Sequence, residues 1–532
     1  MAVEKTYLKR AASPEEAGVS SHAIAEFIED LHESGMETHS IMILRGGQVA
    51  FESWSRPYGP DIPHAMYSVS KSFTSTAVCF AVEEGLLTLE TKVIDIFPEF
   101  RPAKRDENLE KLTVYHLLTM TAGKDVSLLS DRTKNRWVKN FIDSKWNFAP
   151  GSSWQYMNDN IYLLCAILTR VTGMTVTDYL MPRLFEPLGF GRKPFWETDP
   201  GGVEAGGWGL FLTTEELAKF SLCYLQGGVY EGKQVIPEKW VKEATKKQVN
   251  TTRKSKDGSV GYGFCFWQNS CPDSYRADGM FSQFGIVFKE HNAVLVVTAS
   301  EIEEQKFRNC IWRHFPGAFI DSGTELLRNG ALTAKPSLAP LEELASAPRS
   351  PLEKKIAGRE IKIERQRLLD IAKQPLSMLP ITVVYMTAEK AGNIDKIKFS
   401  FGKNECKMSW NEGRERNTII CGMDGKTRTN PIMLAGIRFT ASCTAAWKDE
   451  KTLSVWMRPL ESVCQRRVDF IFNGDSVKFY LSSCPDTKSI LITLSKSVGE
   501  YVKNPYAIKT VQNVMLNGYK IVEPVHSGRF IQ

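Results

Sequence analysis

The sequence predicts an α/β protein, an antiparallel sheet flanked by helices with a helical subdomain, followed by a C-terminal antiparallel β domain. Strand-like apolar runs appear early, at residues 41–51, and again near 262–300, with a helical block from about 68 to 250 between them. Residues 331–352 are rich in Ala, Pro, Ser and Leu, including Ala339-Pro340 and Ala347-Pro348-Arg349-Ser350-Pro351, which is the composition of a linker. Beyond it, short strand-like runs recur with turn residues between them. We therefore divide the chain into a domain over 1–330, a linker over 331–355 and a β-rich domain over 356–532. With 532 residues, 42% of them hydrophobic, the chain is long enough for two cores.

Taken in order, residues 21–34 read as a helix, and Ile41 to Phe51 as a hairpin turning at Gly46-Gly47. Phe73, Ala77, Phe80 and Ala81 fall at helical spacing and meet Gly85 as a stop; Ile161, Leu164, Cys165 and Leu168 repeat the pattern before Gly173. Gly261-Tyr262-Gly263-Phe264 reads as a strand with close backbone approach. The strands near 262–300 complete the sheet begun by the hairpin, and a helix over Glu303 to Phe315 covers it. In the second domain a helix near 361–373 precedes strands at Ile381–Tyr385, Ile394–Phe401, Leu453–Met457, Val468–Phe472 and Val477–Leu481. That spacing argues a barrel-like antiparallel fold.

The most informative segment is Tyr67-Ser68-Val69-Ser70-Lys71-Ser72-Phe73. Ser68 and Lys71 are three apart at a helix start, so one turn brings the lysine back to the serine hydroxyl. A neutral lysine there takes the serine proton, and the unpaired amides at the helix start favour a developing oxyanion. Ser-x-x-Lys alone is weak, since about two or three chance matches are expected at ordinary usage. The second match, Ser400 to Lys403, reads as a strand running into a turn and is set aside. A serine at a helix start is commonly a cap, and a lysine in a helix commonly reaches to water. Gln155-Tyr156-Met157-Asn158, 88 residues after Ser68, adds a Tyr-x-Asn on a loop entering a second helix.

With these two motifs the chain resembles the class C β-lactamase and DD-peptidase superfamily of serine hydrolases, with signatures Ser-x-x-Lys, Tyr-x-Asn and a Lys/His-x-Gly strand. The resemblance extends over about residues 13–325. It includes Leu117-Leu118-Thr119-Met120-Thr121-Ala122-Gly123, Pro150-Gly151-Ser152, Phe185-Glu186-Pro187-Leu188-Gly189 and Gly206-Gly207-Trp208-Gly209-Leu210. It implies a β-lactamase/transpeptidase-like fold with Ser68 as nucleophile. Lys71 and Tyr156 would share acid and base work, and Asn158 would orient Lys71 and bond the substrate's acyl side chain. Burial lowers a lysine pKa and a neighbouring cation lowers a tyrosine's, so either is eligible as the base.

The third motif departs from the pattern. In Arg276-Ala277-Asp278-Gly279-Met280, Ala277 stands where penicillin-recognising relatives carry Lys or His, and Arg276 belongs to the opposite face of its strand. Strands without that cation resemble the esterase and amide-hydrolase branches, including 6-aminohexanoate-dimer hydrolase and family VIII carboxylesterases. By the same resemblance the second oxyanion donor is the Met280 amide, following Gly279. Trp208 reads as lining a substrate pocket or as packing.

Other chemistries lack their residues. The sequence holds no Gly-x-Ser-x-Gly elbow, no His-Glu-x-x-His among its eight His, and no Cys-x-x-Cys. Gly425-Lys426-Thr427 ends like a phosphate loop, but Ile420 occupies the first glycine position, and the neighbourhood reads as a β hairpin. A net charge of +6 with interspersed signs gives no support for nucleic acid or a membrane surface as partner. Eleven scattered Cys read as reduced core thiols. Residues 1–10 carry no apolar core of signal-peptide length, so the expectation is a cytoplasmic protein. The reading is therefore a serine hydrolase cleaving an ester or amide through an acyl-enzyme on Ser68, with no metal or organic cofactor. Its partner is a small-molecule substrate, with homo-oligomerisation left open. The alternatives are acyl transfer from the same acyl-enzyme, or a catalytically silent penicillin-binding-like scaffold that binds a partner. The second domain is read as a lid or as a stabilising or dimerising module.

Overall fold

Largely continuous apolar runs, buried on both faces, build a six-stranded antiparallel sheet at the centre of the first unit, in the spatial order Gln48–Trp54, Thr38–Arg45, Ala293–Ala299, Gln283–Phe288, Ser274–Gly279 and Trp267–Gln268. The computed structural model describes residues 4–125, 136–320, 335–341, 343–364, 377–378, 394–492 and 525–531. Its chain divides into two compact units, residues 1–339 and 340–532.

The predicted hairpin is β1 (Thr38–Arg45) and β2 (Gln48–Trp54). Two short pairs follow within the helical region, β3 (His64–Ala65) with β4 (Phe211–Leu212), and β5 (Val229–Tyr230) with β6 (Lys233–Gln234). The sheet is completed by β7 (Trp267–Gln268), β8 (Ser274–Gly279), β9 (Gln283–Phe288) and β10 (Ala293–Ala299). β10 pairs with β1 (Ile43↔Leu295) and with β9 (Leu295↔Ile286), so the chain's early hairpin meets strands some 250 residues later.

One face of the sheet is covered by α1 (Ser21–Glu33) and the helix Glu304–His314. Phe27, Leu31, Phe307 and Ile311 from these helices form one buried cluster with Ile41, Ile43, Ile286 and Leu295. Ser20 starts α1 by accepting from the Ala23 amide, satisfying an otherwise unpaired donor. On the other face lies the helix Thr214–Leu225, started by a reciprocal Thr213/Glu216 capping box. Beyond it stand α2 (Ser70–Glu83) and the helix Asn158–Thr172, which contact each other. The latter ends at Gly173, whose φ of +69° is the left-handed cap glycine tolerates best.

Gly261–Phe264 is not a strand as expected. Tyr262 makes single bridges to Val249 and Trp267, because Gly263 passes so close to Ala244 that a Cβ would lie 2.1 Å from its carbonyl oxygen. The close approach was legible, but it replaces a ladder rather than accompanying one.

The second unit is a barrel-like antiparallel sheet in the order β14-β13-β12-β11-β20-β19-β18-β17-β16-β15. Its strands are β11 (Glu360–Ile363), β12 (Ile394–Phe401), β13 (Glu405–Glu412), β14 (Glu415–Gly422), β15 (Arg428–Leu434), β16 (Ile437–Trp447), β17 (Thr452–Pro459), β18 (Gln465–Asn473), β19 (Ser476–Cys484) and β20 (His526–Phe530). A parallel bridge from Gly422 to Thr444 joins β14 to β16 and closes the ring. Inward residues meet as aromatic pairs: Phe470 packs edge-on to Phe399 at 5.0 Å and to Phe479 at 5.4 Å.

The helix expected near 361–373 begins instead as β11. Ile361 and Ile363 are buried while Lys362 is exposed, a period of two, and Ile361 pairs with Phe530. The rest of that span, and the strand expected at Ile381–Tyr385, lie outside the described residues. Ser400 lies near the end of a strand that meets Gly402, and Gly422 and Arg428 bound the loop from β14 to β15, which pair with other strands rather than with each other as the expected hairpin would, so neither rival motif sits in its required context. Among the described residues no single helix is long and apolar enough to cross a membrane.

Candidate active site

Ser68 occupies a single 3₁₀ turn, Tyr67–Val69, that runs straight into α2. Tyr67 enters it with φ of +46°, a conformation a non-glycine residue holds only when its surroundings enforce it. Those surroundings are visible. The Met66 amide donates to Leu210 O at 2.9 Å, and Ser70 Oγ donates to Tyr67 O at 2.6 Å while accepting from the Leu210 amide.

One turn on, Lys71 is only 1% exposed. Its Nζ lies 2.8 Å from Ser68 Oγ, 2.7 Å from Asn158 Oδ1 and 2.6 Å from Gly207 O. Burial pushes its pKa down to about 7, because the low-dielectric surroundings penalise the ammonium. The neutral amine has two N–H donors and one lone pair. Two donors fit Asn158 and Gly207, and the lone pair then accepts the Ser68 hydroxyl proton.

Gly207 was missed as a member of this cluster. Its carbonyl reaches Lys71 because the loop packs tightly against the Asn158–Thr172 helix. A Cβ on Gly206, at φ +66°, would lie 2.4 Å from Cys165 Sγ, and one on Gly207 would lie 3.0 Å from Asn158 Oδ1. The Gly-Gly-Trp-Gly run was the available signal. Trp208 itself is buried. Its carbonyl accepts from Trp196 Nε1 at 2.8 Å, and its ring lies 6.2 Å from that of Trp137.

Tyr156 sits on the extended segment before the Asn158 helix, and its hydroxyl is hydrogen-bonded to Ser68. Burial raises the phenol's pKa well above its usual value, outweighing the Ser68 bond and the positive charge of Arg253. Trp154, Tyr262 and Trp267 surround its ring at 6.1, 6.1 and 5.5 Å, and Lys71 Nζ stands 4.8 Å from its centroid. Ser68 and Tyr156 are partly exposed and Asn158 is exposed, so a ligand has access to the group.

Gly279 ends β8 directly against the Ser68 turn: a Cβ there would lie 2.3 Å from Met66 O. Met280 begins the turn into β9, which continues through Phe281 and Ser282 at φ +64° and +66°. Buried Gln283 holds this turn by donating to Phe281 O at 2.9 Å and Ala299 O at 2.7 Å. Tyr67 and Phe281, from the two strained turns, meet edge to face at 5.1 Å. The Ser68 and Met280 backbone segments are thus locked against one another.

Ala277 shares the face of Gly279, while Arg276 turns away from it. Arg276 is 2% exposed, ion-paired with Asp278, and donates to Asn269 Oδ1 at 2.6 Å and Gln268 O at 3.2 Å. The three acceptors hold its guanidinium on the far face. A separate group, Asp30, Cys310 and His314, has metal-like spacing, but the Asp30 oxygen concerned accepts from Arg313 at 2.6 Å. It is an ion-paired cluster.

A helix-flanked antiparallel sheet that places a serine and a buried lysine one turn apart beside a Tyr-x-Asn loop is the arrangement of the β-lactamase/transpeptidase-like fold. The chain belongs to the beta-lactamase family, whose profile matches residues 23–313 of its 532. It is 27% identical over 251 residues to a 6-aminohexanoate-dimer hydrolase from Paenarthrobacter ureafaciens, covering 43% of this chain and 63% of that one. It is 26% identical over 216 residues to esterase EstB from Burkholderia gladioli, covering 36% of this chain and 55% of that protein. The chain thus spans less than two thirds of the length of either relative. A solved D-stereospecific amidohydrolase from Streptomyces sp. superposes with a TM-score of 0.43 at 18% identity, over 56% of this chain and 99% of that one.

Proposed function

We propose that the protein is a serine hydrolase that cleaves a small-molecule ester or amide through an acyl-enzyme on Ser68. The observation that carries this is the 2.8 Å approach of Lys71 Nζ to Ser68 Oγ, with burial holding the amine near pKa 7. Neutral Lys71 takes the Ser68 proton as Oγ bonds to the substrate carbonyl carbon, and the Ser68 and Met280 amides face the oxyanion. Tyr156, kept protonated by burial, delivers its proton to the leaving group, and the proton that Lys71 took up restores the phenol. A water then gives its proton to the same pair as its oxygen attacks the acyl carbon, and Ser68 leaves reprotonated. Asn158 and Gly207 O orient Lys71. The assembly of these groups in hydrogen-bond contact supports catalysis over a silent scaffold.

The test is a panel of p-nitrophenyl esters, D-amino-acid amides, linear amide oligomers and nitrocefin. Hydrolysis of esters or amides with nitrocefin a weak substrate is the expected result. Ala277 supplies no cation to a β-lactam carboxylate, and a charge-assisted bond of that kind is worth about 1.5–3 kcal/mol, or roughly ten- to a hundredfold. A kcat/KM preference for nitrocefin over a short-chain ester would overturn it.

Gly279→Ala supplies a steric test. Its Cβ would press on Met66 O, separating β8 from the Ser68 turn at a cost of about 1–3 kcal/mol. A lowered melting temperature and at least about a tenfold loss of kcat/KM are expected. A variant with unaltered kinetics would detach Gly279 and Met280 from the oxyanion role.

A further inference from the structure

The strand that leads to Met280 is braced from behind by charges that the proposed reaction does not use. Asp278 lies on the face of β8 opposite Ala277 and Gly279, where it pairs with Arg276 of its own strand. From the helix Glu304–His314, Arg308 brings Nη1 to 3.5 Å from Asp278 Oδ2 and 3.7 Å from Glu304 Oε2, and Nε to 3.3 Å from Asp257 Oδ2. Its guanidinium carbon is 5.6 Å from the ring centroid of Phe284, which stands opposite Asp278 on β9. Arg308 is 5% exposed, and its Nη1 is buried with no hydrogen bond among the described residues. The Asp278 and Glu304 carboxylates therefore hold that charge in place. Asp257 anchors the other end. It is fully buried and accepts from the Ser270 amide at 2.8 Å, the Ser270 hydroxyl at 2.7 Å, Gln305 Nε2 at 2.6 Å and Trp312 Nε1 at 3.0 Å.

We infer that Arg308 is a positioning residue for the reaction at Ser68: through Asp278 it holds the end of β8 from which the Met280 amide faces the oxyanion, and it offsets the Asp278 charge behind Lys71. This rests on the serine-hydrolase reading above. Cys265 and Asp278 both act electrostatically on Lys71. Burial pushes the Cys265 thiol up to about 12, so it is neutral near pH 7, and the charge of the two is the Asp278 carboxylate. A carboxylate favours the ammonium form of Lys71, against the needs of a base, and a cation paired with that carboxylate weakens its field. Three other ionisable groups face the pair: Arg276 on β8, Asp257 in the loop before β7, and Glu304 one turn earlier on the Arg308 helix. Arg276 is tied to Asn269 and Gln268 within its own hairpin, so it gives β8 no hold on the helix. Arg308 supplies that hold.

The experiment follows hydrolysis of 4-nitrophenyl acetate from pH 5 to 9. Arg308→Gln is expected to lose about tenfold in kcat with KM within about twofold, and to move the acidic limb of kcat/KM up by about 0.5–1 pH unit. Asp278→Asn should move the limb down by a similar amount, and the double variant should return it close to the wild-type position. Arg308→Lys, which keeps the charge but not the planar fork, should keep the wild-type limb with an intermediate kcat. A purely structural role would slow every variant without displacing the limb in opposite directions. Breaking a buried ion pair costs stability, so circular dichroism must show each variant folded; if Arg308→Gln is not, Asp278→Asn and Arg308→Lys carry the test. Burial, with the Asp278 charge, pushes the Glu304 carboxyl up to about 7, so Glu304→Gln is the control and should retain the limb. Loss of the limb there, limbs that stay put or move the same way in folded Arg308→Gln and Asp278→Asn, or an unchanged kcat in folded Arg308→Gln overturns the inference alone. Absent hydrolysis, or hydrolysis that survives Ser68→Ala, overturns the hydrolase reading and this inference with it.

Discussion

Ser68→Ala is expected to abolish both turnover and labelling by a fluorophosphonate probe, while the protein remains folded. Removing the nucleophile of an acyl-enzyme mechanism lowers kcat by at least about 10⁴-fold. The structural cost is small. Ser68 Oγ is bonded to Lys71 and Tyr156, and loss of a hydroxyl with such partners is worth about 1 kcal/mol. The Ser68 turn itself is fixed by Met66, Ser70 and Leu210, none of which the substitution touches. Circular dichroism should therefore match the wild type while labelling disappears. Retained hydrolysis in a folded variant would remove the acyl-enzyme from the account.

Why the serine and lysine were readable while Gly207 and Gln283 were not is a matter of sequence distance. Ser68 and Lys71 are brought together by one helical turn, and local geometry is written in spacing. Tyr156 is legible only through the family's Tyr-x-Asn signature, because its approach to Ser68 depends on packing between α2 and the Asn158–Thr172 helix. Gly207 offers only a carbonyl, which every residue has; the information lies in the glycines that let the loop approach. Gln283 and the left-handed Phe281 and Ser282 look like ordinary strand-turn residues until their register against β8 and β10 is known. In the fold, the same limit explains β11. Ile361-Lys362-Ile363 is too short to separate a period of two from a helical one, and its pairing with Phe530 lies almost 170 residues away.

For Lys71 the expected result is twofold. Lys71→Ala should lower kcat by roughly 10²–10⁴ with a smaller effect on KM, since the amine acts on a proton in flight rather than on substrate binding. In the wild-type protein, kcat/KM should fall as pH drops below about 7. The sign follows from burial: the folded-state pKa is depressed from 10.5 to about 7, so the amine is neutral and basic above that pH and protonated below it. An ammonium has no lone pair for the Ser68 proton, and activity should then decline about tenfold per pH unit. Tyr156→Phe separates the two groups. It should also lower kcat by orders of magnitude, yet leave the acidic limb near 7, because the limb belongs to an amine held by Asn158 Oδ1 and Gly207 O. A flat wild-type profile from pH 5 to 8 would exclude Lys71 as the titrating base. Disappearance of the limb in Tyr156→Phe, with residual activity intact, would transfer that role to the phenol.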